Sequence, residues 1–412
     1  MIFSPTTYLR LKNRLRKRHA VDFAQLLKQF KRLKQNQLAA WVIDNRELLE
    51  DFSSINWYFR VQLESYLTII NQTIVNASEG IEFSESEDAI FEKWNNSEFA
   101  DVFLKQLNQG KSIAKASAYT LKIFEQHLLT LGKRHILKED RLTHFYRPQL
   151  SLGEKKVGVK VTRLMEATIE FAGKQITLRT SSLKEMKSLS HRIETALKEI
   201  KKFSPDSWER FSAFTKVIIP IHIKQFVSYS HQEMPGVSMI NIYDRDFVDL
   251  MDDLIHENGH HHLNYYLNLG EVIEEPIEAI YYSPWRRTPR PLRGIYHAYF
   301  TFFWAFKLFS EMAARPLDSA DHNFSKEEQE KILWRAVEEY HMLNFTFNDL
   351  KWARQRGLIS DIGWELVSAQ RKELTKAAKK VVLWEKKLKK YKKDLSSLKK
   401  ELKTATKKYT KN

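Results

Sequence analysis

The sequence predicts an α+β fold, predominantly α-helical, with a small antiparallel sheet beside one helix that carries two histidines a turn apart. Three observations predict it. Apolar residues recur at three-to-four spacing over most of the 412 positions. That period gives way to strict alternation between residues 157 and 180, and to a β-branched apolar run at Val217 to Ile223. The tail returns to a three-four repeat held without a break from Leu374 to Tyr409.

Taken in order, the first residues are basic (Arg10, Lys12, Arg14, Arg16, Lys17, Arg18), with Tyr8, Leu11, Leu15 and Val21 on the inward side of a first helix. Phe23, Leu26, Leu27, Phe30 and Leu33 continue the helical spacing, and Trp57, Phe59, Leu63, Leu67 and Ile70 repeat it after a gap. Residues 1–150 therefore form a helical N-terminal region. Val157, Val159 and Val161 alternate, and Ala172-Gly173-Lys174 makes a turn between Thr168–Phe171 and Gln175–Thr180. Leu183, Met186, Leu189, Ile193, Leu197 and Ile200 form a helix, and Val217–Ile223 and Val237–Ile242 form strands. The next helix starts near Asp244, where Asp246 and Asp249 suit its positive end. Pro284, Pro289 and Pro291 mark an ordered non-helical connection, a helix follows from Leu292 to Ala314, and Ser325 with Glu328 reads as a capping box. The expected divisions are a catalytic domain over 151–320, a helical extension over 321–371 and a Lys-rich coiled-coil tail over 372–412, available to a partner or to a second copy.

Composition narrows the class. With 43% hydrophobic and 29% charged residues the chain reads as globular, and no apolar run reaches the roughly 18 residues of a membrane span. Zero cysteines exclude disulfides, thiolate metal ligands and a cysteine nucleophile. No apolar secretory core follows the basic first residues, so a cytoplasmic location is the expectation. Of the formal charge of +16, +12 comes from residues 372–412, which hold 16 Lys against four acids. The remaining body is nearly balanced, so a nucleic-acid groove across the fold is not implied.

The chemistry lies at His256-Glu257-Asn258-Gly259-His260. Histidines four apart stack on one helix face and can share a divalent ion. Glu257, about 100° around the helix, can address a metal-bound water as general base without being a ligand. Leu250, Met251, Leu254, Leu263 and Leu267 supply the packing face. Asp253 precedes His256 by three and is placed to orient an imidazole. His261 and His262 fall off the stripe and read as surface or hydrogen-bonded residues. Two histidines leave a site incomplete. The residues themselves offer either Glu278, from the cluster Glu271, Glu274, Glu275 and Glu278, or His297 on the following apolar helix, and they favour the glutamate of a zinc metallopeptidase.

A longer string changes that balance. Ser283-Pro284-Trp285-Arg286, Arg290-Pro291-Leu292, Gly294 and His297, with Ser228, Ser230 and Pro235-Gly236 ahead of the helix, resembles the HExxH-motif peptide-modification family over roughly residues 200–315. The resemblance implies an iron(II)- and 2-oxoglutarate-dependent hydroxylase of a peptide or protein side chain. Its metal ligands would be His256, His260 and His297, and Arg286 and Arg290 would receive the far carboxylate of 2-oxoglutarate, with Arg293 an additional candidate. Glu257 would then orient water or a ligand, and Zn2+ would be the cation of the alternative.

Overall fold

The computed structural model describes residues 3–11, 13–14, 98–112, 115–116, 119, 137–138, 146–152, 159–164, 167–171, 174–178, 183–215, 217–222, 224, 227–230, 236–267, 269–270, 272–274, 280–315 and 324–409. The helices expected over Phe23–Leu33 and Trp57–Ile70 lie outside these residues. The fold is α+β and predominantly helical, in two compact units: Met1–Lys12 with Pro148–Arg163 and Ser181–Asn412, and Asn13–Arg147 with Leu164–Thr180.

The smaller unit holds helix α1 (Glu98–Asn108) and strands β1 (Leu137–Lys138), β4 (Ala167–Phe171) and β5 (Lys174–Leu178). β4 and β5 pair antiparallel with Phe171 opposite Lys174, and β1 lies parallel to β4; the expected turn residues Ala172 and Gly173 lie outside the described residues.

In the larger unit, β2 (Tyr146–Leu152), β3 (Val159–Leu164), β6 (Val217–Ile221), β8 (Val237–Asn241) and β7 (Tyr229–Ser230) lie side by side in that order. The β3–β6 and β6–β8 pairs are parallel and β7–β8 is antiparallel, so the sheet next to the histidine helix is of mixed sense. Its two parallel pairings join strands far apart in sequence, which local alternation does not report. A separate antiparallel hairpin, β9 (Tyr281–Ser283) with β10 (Thr288–Arg290), fills the proline-rich connection and turns at Arg287, which has positive φ.

Helices α2 (Leu183–Phe203) and α3 (Pro205–Phe214) lead to α4 (Phe247–Leu267), the histidine helix, whose first turn is capped where Asp246 Oδ1 accepts from the Asp249 N–H at 2.9 Å. α5 (Leu292–Ala313) follows Pro291, which needs no N–H at a helix start. Ile295, Tyr296, Tyr299, Phe300, Phe303, Trp304 and Phe309 bury most of its circumference, as a central helix requires. α4 packs on one side of it and α6 (Lys326–Gln355) on another. The capping box of α6 is complete: Ser325 Oγ accepts from Glu328 N and Glu328 Oε2 from Ser325 N.

In the tail, two helices share the repeat that reads as unbroken in the sequence. α7 (Asp361–Lys387) stops at Leu388, whose backbone is extended, and α8 (Lys392–Tyr409) begins after a short break. Glu330 Oε1 accepts from the N–H groups of Lys389 (2.6 Å) and Lys390 (2.5 Å), and Trp334 stacks on Tyr391, so α6 holds the break in place. Leu374, Val381, Trp384, Leu388, Leu395, Leu398, Leu402 and Ala405 are buried in the chain's own core. The apolar stripe is thus spent within the molecule. α8 also braces the hairpin: Tyr282 Oη donates to Glu401 Oε1 at 2.7 Å, Arg287 pairs with Glu401 Oε2 at 3.4 Å, and Tyr409 stacks on Tyr282.

Candidate metal centre

α4 presents two strips with different partners. Asp253, Glu257 and His261, each a turn apart, face the β7–β8 edge. Ser228 Oγ donates to Asp253 Oδ2 at 2.7 Å and itself accepts from Asn241 N at 2.9 Å. Ser230 Oγ donates to the Glu257 carbonyl at 3.4 Å, Gly236 N donates to His261 Nδ1 at 3.3 Å, and Ser238 Oγ meets His261 Nε2 at 3.0 Å. The serines and glycine singled out before the helix therefore fix its rotation about its own axis.

That rotation aims the second strip, His256 and His260, at a common point. Their Nε2 atoms are 3.2 Å apart. Two imidazoles bound to one ion at about 2.0–2.1 Å each would place their nitrogens roughly 3.0–3.4 Å apart, so this spacing fits a shared cation. The ligand atoms of His256, Glu257 and His260 all lie within 4.8 Å of one another. His297, on α5, stands beside His260 with ring centroids 5.9 Å apart, and its buried Nε2 has no partner among the described residues. It lies next to that tight group without belonging to it.

Burial sets the protonation of all four groups. Desolvation pushes His256 well below the usual imidazole range, His260 down to about 4 and His297 down to about 3; neighbouring imidazoles lower His256 and His297 further. Arg286 adds positive potential at His256 and His260, and Arg293 adds it at His297. All three rings are neutral at pH 7, the form that offers a lone pair to a metal. Burial drives the Glu257 carboxyl up to about 8, against the opposing pull of Ser230 and Arg286. Glu257 Oε2 is without a hydrogen bond.

Asp253 does not orient an imidazole, contrary to the sequence expectation. Its carboxylate is taken by Ser228 and by Arg245 at 3.1 Å, and His256 Nδ1 has no partner. The reason is helical phase: three residues back from His256 is the sheet-facing strip. The residue one turn back is Asp252, which is paired with Arg335. His261 is hydrogen-bonded, as expected. His262 is not at the surface; it is enclosed by Tyr8, Phe214, Phe300 and Trp304, stacked on Phe214 at 4.5 Å.

The hairpin completes the surroundings. Trp285 lies flat on Phe302 at 4.7 Å and donates from Nε1 to Glu339 Oε2 at 2.8 Å. Phe302 in turn covers the His256 ring at 4.2 Å. Trp285 thereby pins the turn from which Arg286 reaches the site electrostatically. Arg290 runs along Gly294, where an added Cβ would sit 3.4 Å from Arg290 Cβ. Both arginines are exposed, and among the described residues neither has an ion-pair partner. Phe302, Glu339 and Asp252 were missed from the sequence; the tryptophan of Ser-Pro-Trp-Arg was the one local sign of this packing. Glu271, Glu275 and Glu278 lie outside the described residues, and Glu274 is exposed, with its N–H bonded to Leu358 O.

No protein-family model matches the chain, and no curated protein is significantly similar to it. Among the described residues no helix is long and apolar enough to cross a membrane.

Proposed function

We propose that the protein is a metal-dependent enzyme, an iron(II)- and 2-oxoglutarate-dependent hydroxylase of a peptide or protein side chain. The observation that carries the metal is the 3.2 Å approach of two half-buried, neutral imidazoles, His256 and His260, with the unpartnered Nε2 of His297 alongside. The donor set fits a first-row divalent ion: three nitrogens that are neutral in the protein, none held by another hydrogen bond at its free atom. His256, His260 and His297 would hold it. Bound iron, with dioxygen and 2-oxoglutarate, supplies the oxidising power, one oxygen atom going to the substrate as the co-substrate becomes succinate and carbon dioxide.

The rest is the work of this chain. Arg286 and Arg290 sit on the hairpin and at the entry to α5, without acid partners among the described residues, and a guanidinium fork binds a carboxylate through two hydrogen bonds. Glu257, neutral at pH 7, holds its proton on a buried oxygen facing the imidazoles and can donate a hydrogen bond to whatever enters. Phe302, stacked under Trp285, packs against the His256 ring and holds it in place. The iron and 2-oxoglutarate assignment rests on the resemblance of the Ser283–His297 string.

The test needs no substrate. Iron(II), zinc and 2-oxoglutarate are titrated into the wild type, His297→Ala and Glu278→Gln with ascorbate present, which supplies the two electrons that the absent substrate would have given, and uncoupled succinate release is followed. Iron-dependent succinate formation lost in His297→Ala and kept in Glu278→Gln supports the reading. A second reading, a zinc metallopeptidase, is favoured by Glu257 itself: beside two imidazoles its carboxyl would lose its proton to the field of a bound dication, and the carboxylate is then placed as a general base. There Glu278→Gln abolishes metal binding, His297→Ala spares it, and 2-oxoglutarate has no effect.

A further inference from the structure

We propose that the outer face of α7 docks on an anionic lipid bilayer. At about 100° per residue, Lys372, Lys376, Lys379, Leu383, Lys386 and Lys387 fall on one side of the helix, with Lys380 and Val382 at its margins. All are exposed, while Leu374, Val381 and Trp384 on the opposite side are buried. Lys376 pairs with Glu373 at 2.7 Å. Lys372, Lys379, Lys380, Lys386 and Lys387 have no acid within ion-pair distance among the described residues.

Amid these lysines stand two adjacent apolar side chains, Val382 at 53% and Leu383 at 57% exposure. A single exposed leucine is ordinary. An exposed Val-Leu pair ringed by unpaired lysines is the arrangement of a helix lying in a headgroup layer, where the charges meet anionic lipid and the apolar pair enters the acyl boundary. The composition separates lipid from nucleic acid. Residues 372–412 contain 16 Lys and no Arg, and Trp384 is turned inward, so the face has neither guanidinium forks nor exposed rings for bases. This surface does not depend on the metal reading.

The experiment uses the full chain with vesicles of phosphatidylcholine alone or mixed with phosphatidylserine, scored by co-sedimentation. The wild type is expected to bind only the mixed vesicles, and less tightly as salt is raised. K379Q/K386Q should weaken binding about 25-fold, at about fivefold per lysine. V382S/L383S should weaken it about tenfold or more. Both variants should melt with the wild type, since the changed side chains are exposed. Absence of phosphatidylserine-dependent binding, or binding unchanged in either variant, overturns the proposal. So does tighter binding to a DNA or RNA oligonucleotide than to the vesicles, indifferent to V382S/L383S, which would mark a nucleic-acid face.

Discussion

Gly259, inside the His256–His260 pentad, is a point of close approach between α4 and α5. A Cβ built there would lie 3.1 Å from Thr301 Cα and 3.3 Å from Thr301 Cβ and Cγ2. Carbon atoms prefer about 3.5–4.0 Å, so Gly259→Ala must push α5 outward by roughly half an ångström, because the obstructing atom is backbone. Thr301 Oγ1 is bonded to the carbonyls of His297 at 2.8 Å and Ala298 at 3.3 Å. The displacement is therefore passed to the turn carrying His297. Overpacking costs about 1–3 kcal/mol. Alanine returns about 1 kcal/mol through its better helix propensity. The net loss of stability is expected at about 0–2 kcal/mol, measured by urea unfolding. Metal affinity should fall further, about 10–100-fold, since bond lengths at such a site tolerate only about 0.2 Å. Calorimetric titration with zinc or iron(II) reads it, with Gly270→Ala, whose Cβ meets nothing, as control. If Gly259→Ala is destabilised yet binds metal as tightly as the wild type, His297 is not a ligand. If neither property moves, the close approach of the two helices is not what limits this position.

Three further outcomes follow from the packing. Gly363→Ala would place a Cβ 2.2 Å from Val272 O, which already accepts from Ser360 N at 3.1 Å; a loss of about 3 kcal/mol in urea unfolding is expected, and a wild-type midpoint refutes it. Arg210 is wholly buried over Trp304 at 4.0 Å, with none of its guanidinium nitrogens hydrogen-bonded to a described residue; burial lowers it to about 9, so it stays charged at pH 7. Arg210→Met should raise stability by about 1–3 kcal/mol, and a lowered melting temperature would show that the cation is compensated. His262 is held well below its usual value, first by burial and then by Arg210. The native ring stays neutral while the unfolded ring ionises below about pH 6.5, so the unfolded state binds the extra proton and stability falls as pH drops, by about 1.4 kcal/mol per pH unit. His262→Phe should remove one proton's worth of that slope between pH 6 and 5, and an unaltered slope refutes the assignment.

Local chemistry was legible where it sufficed. The pentad, the start of α4 (expected near Asp244, found at Phe247), the span of α5 and the Ser325–Glu328 box are each written in a few neighbouring residues. The interruption at Leu388–Tyr391 was not, because α7 and α8 both turn the same apolar spacing toward the core and no proline or glycine punctuates it. What stops the helix is Glu330, some 60 positions earlier. Asp253 illustrates the same limit: its offset from His256 suits either an imidazole or a strand, and Ser228 with Arg245 decides. The parallel pairing of β3, β6 and β8, and the Phe302–Trp285–Glu339 stack, likewise exist only once distant segments meet.

The grip of α8 on the β9–β10 hairpin bears on how this protein matures. Glu401 and Tyr409 clasp Tyr282 and Arg287, which were synthesised more than a hundred positions before them. A chain still on the ribosome has made its histidine pair long before it owns the residues that steady the neighbouring turn. The turn that carries Arg286 should settle late, once α8 is made, and a product truncated before α8 should hold that turn loosely.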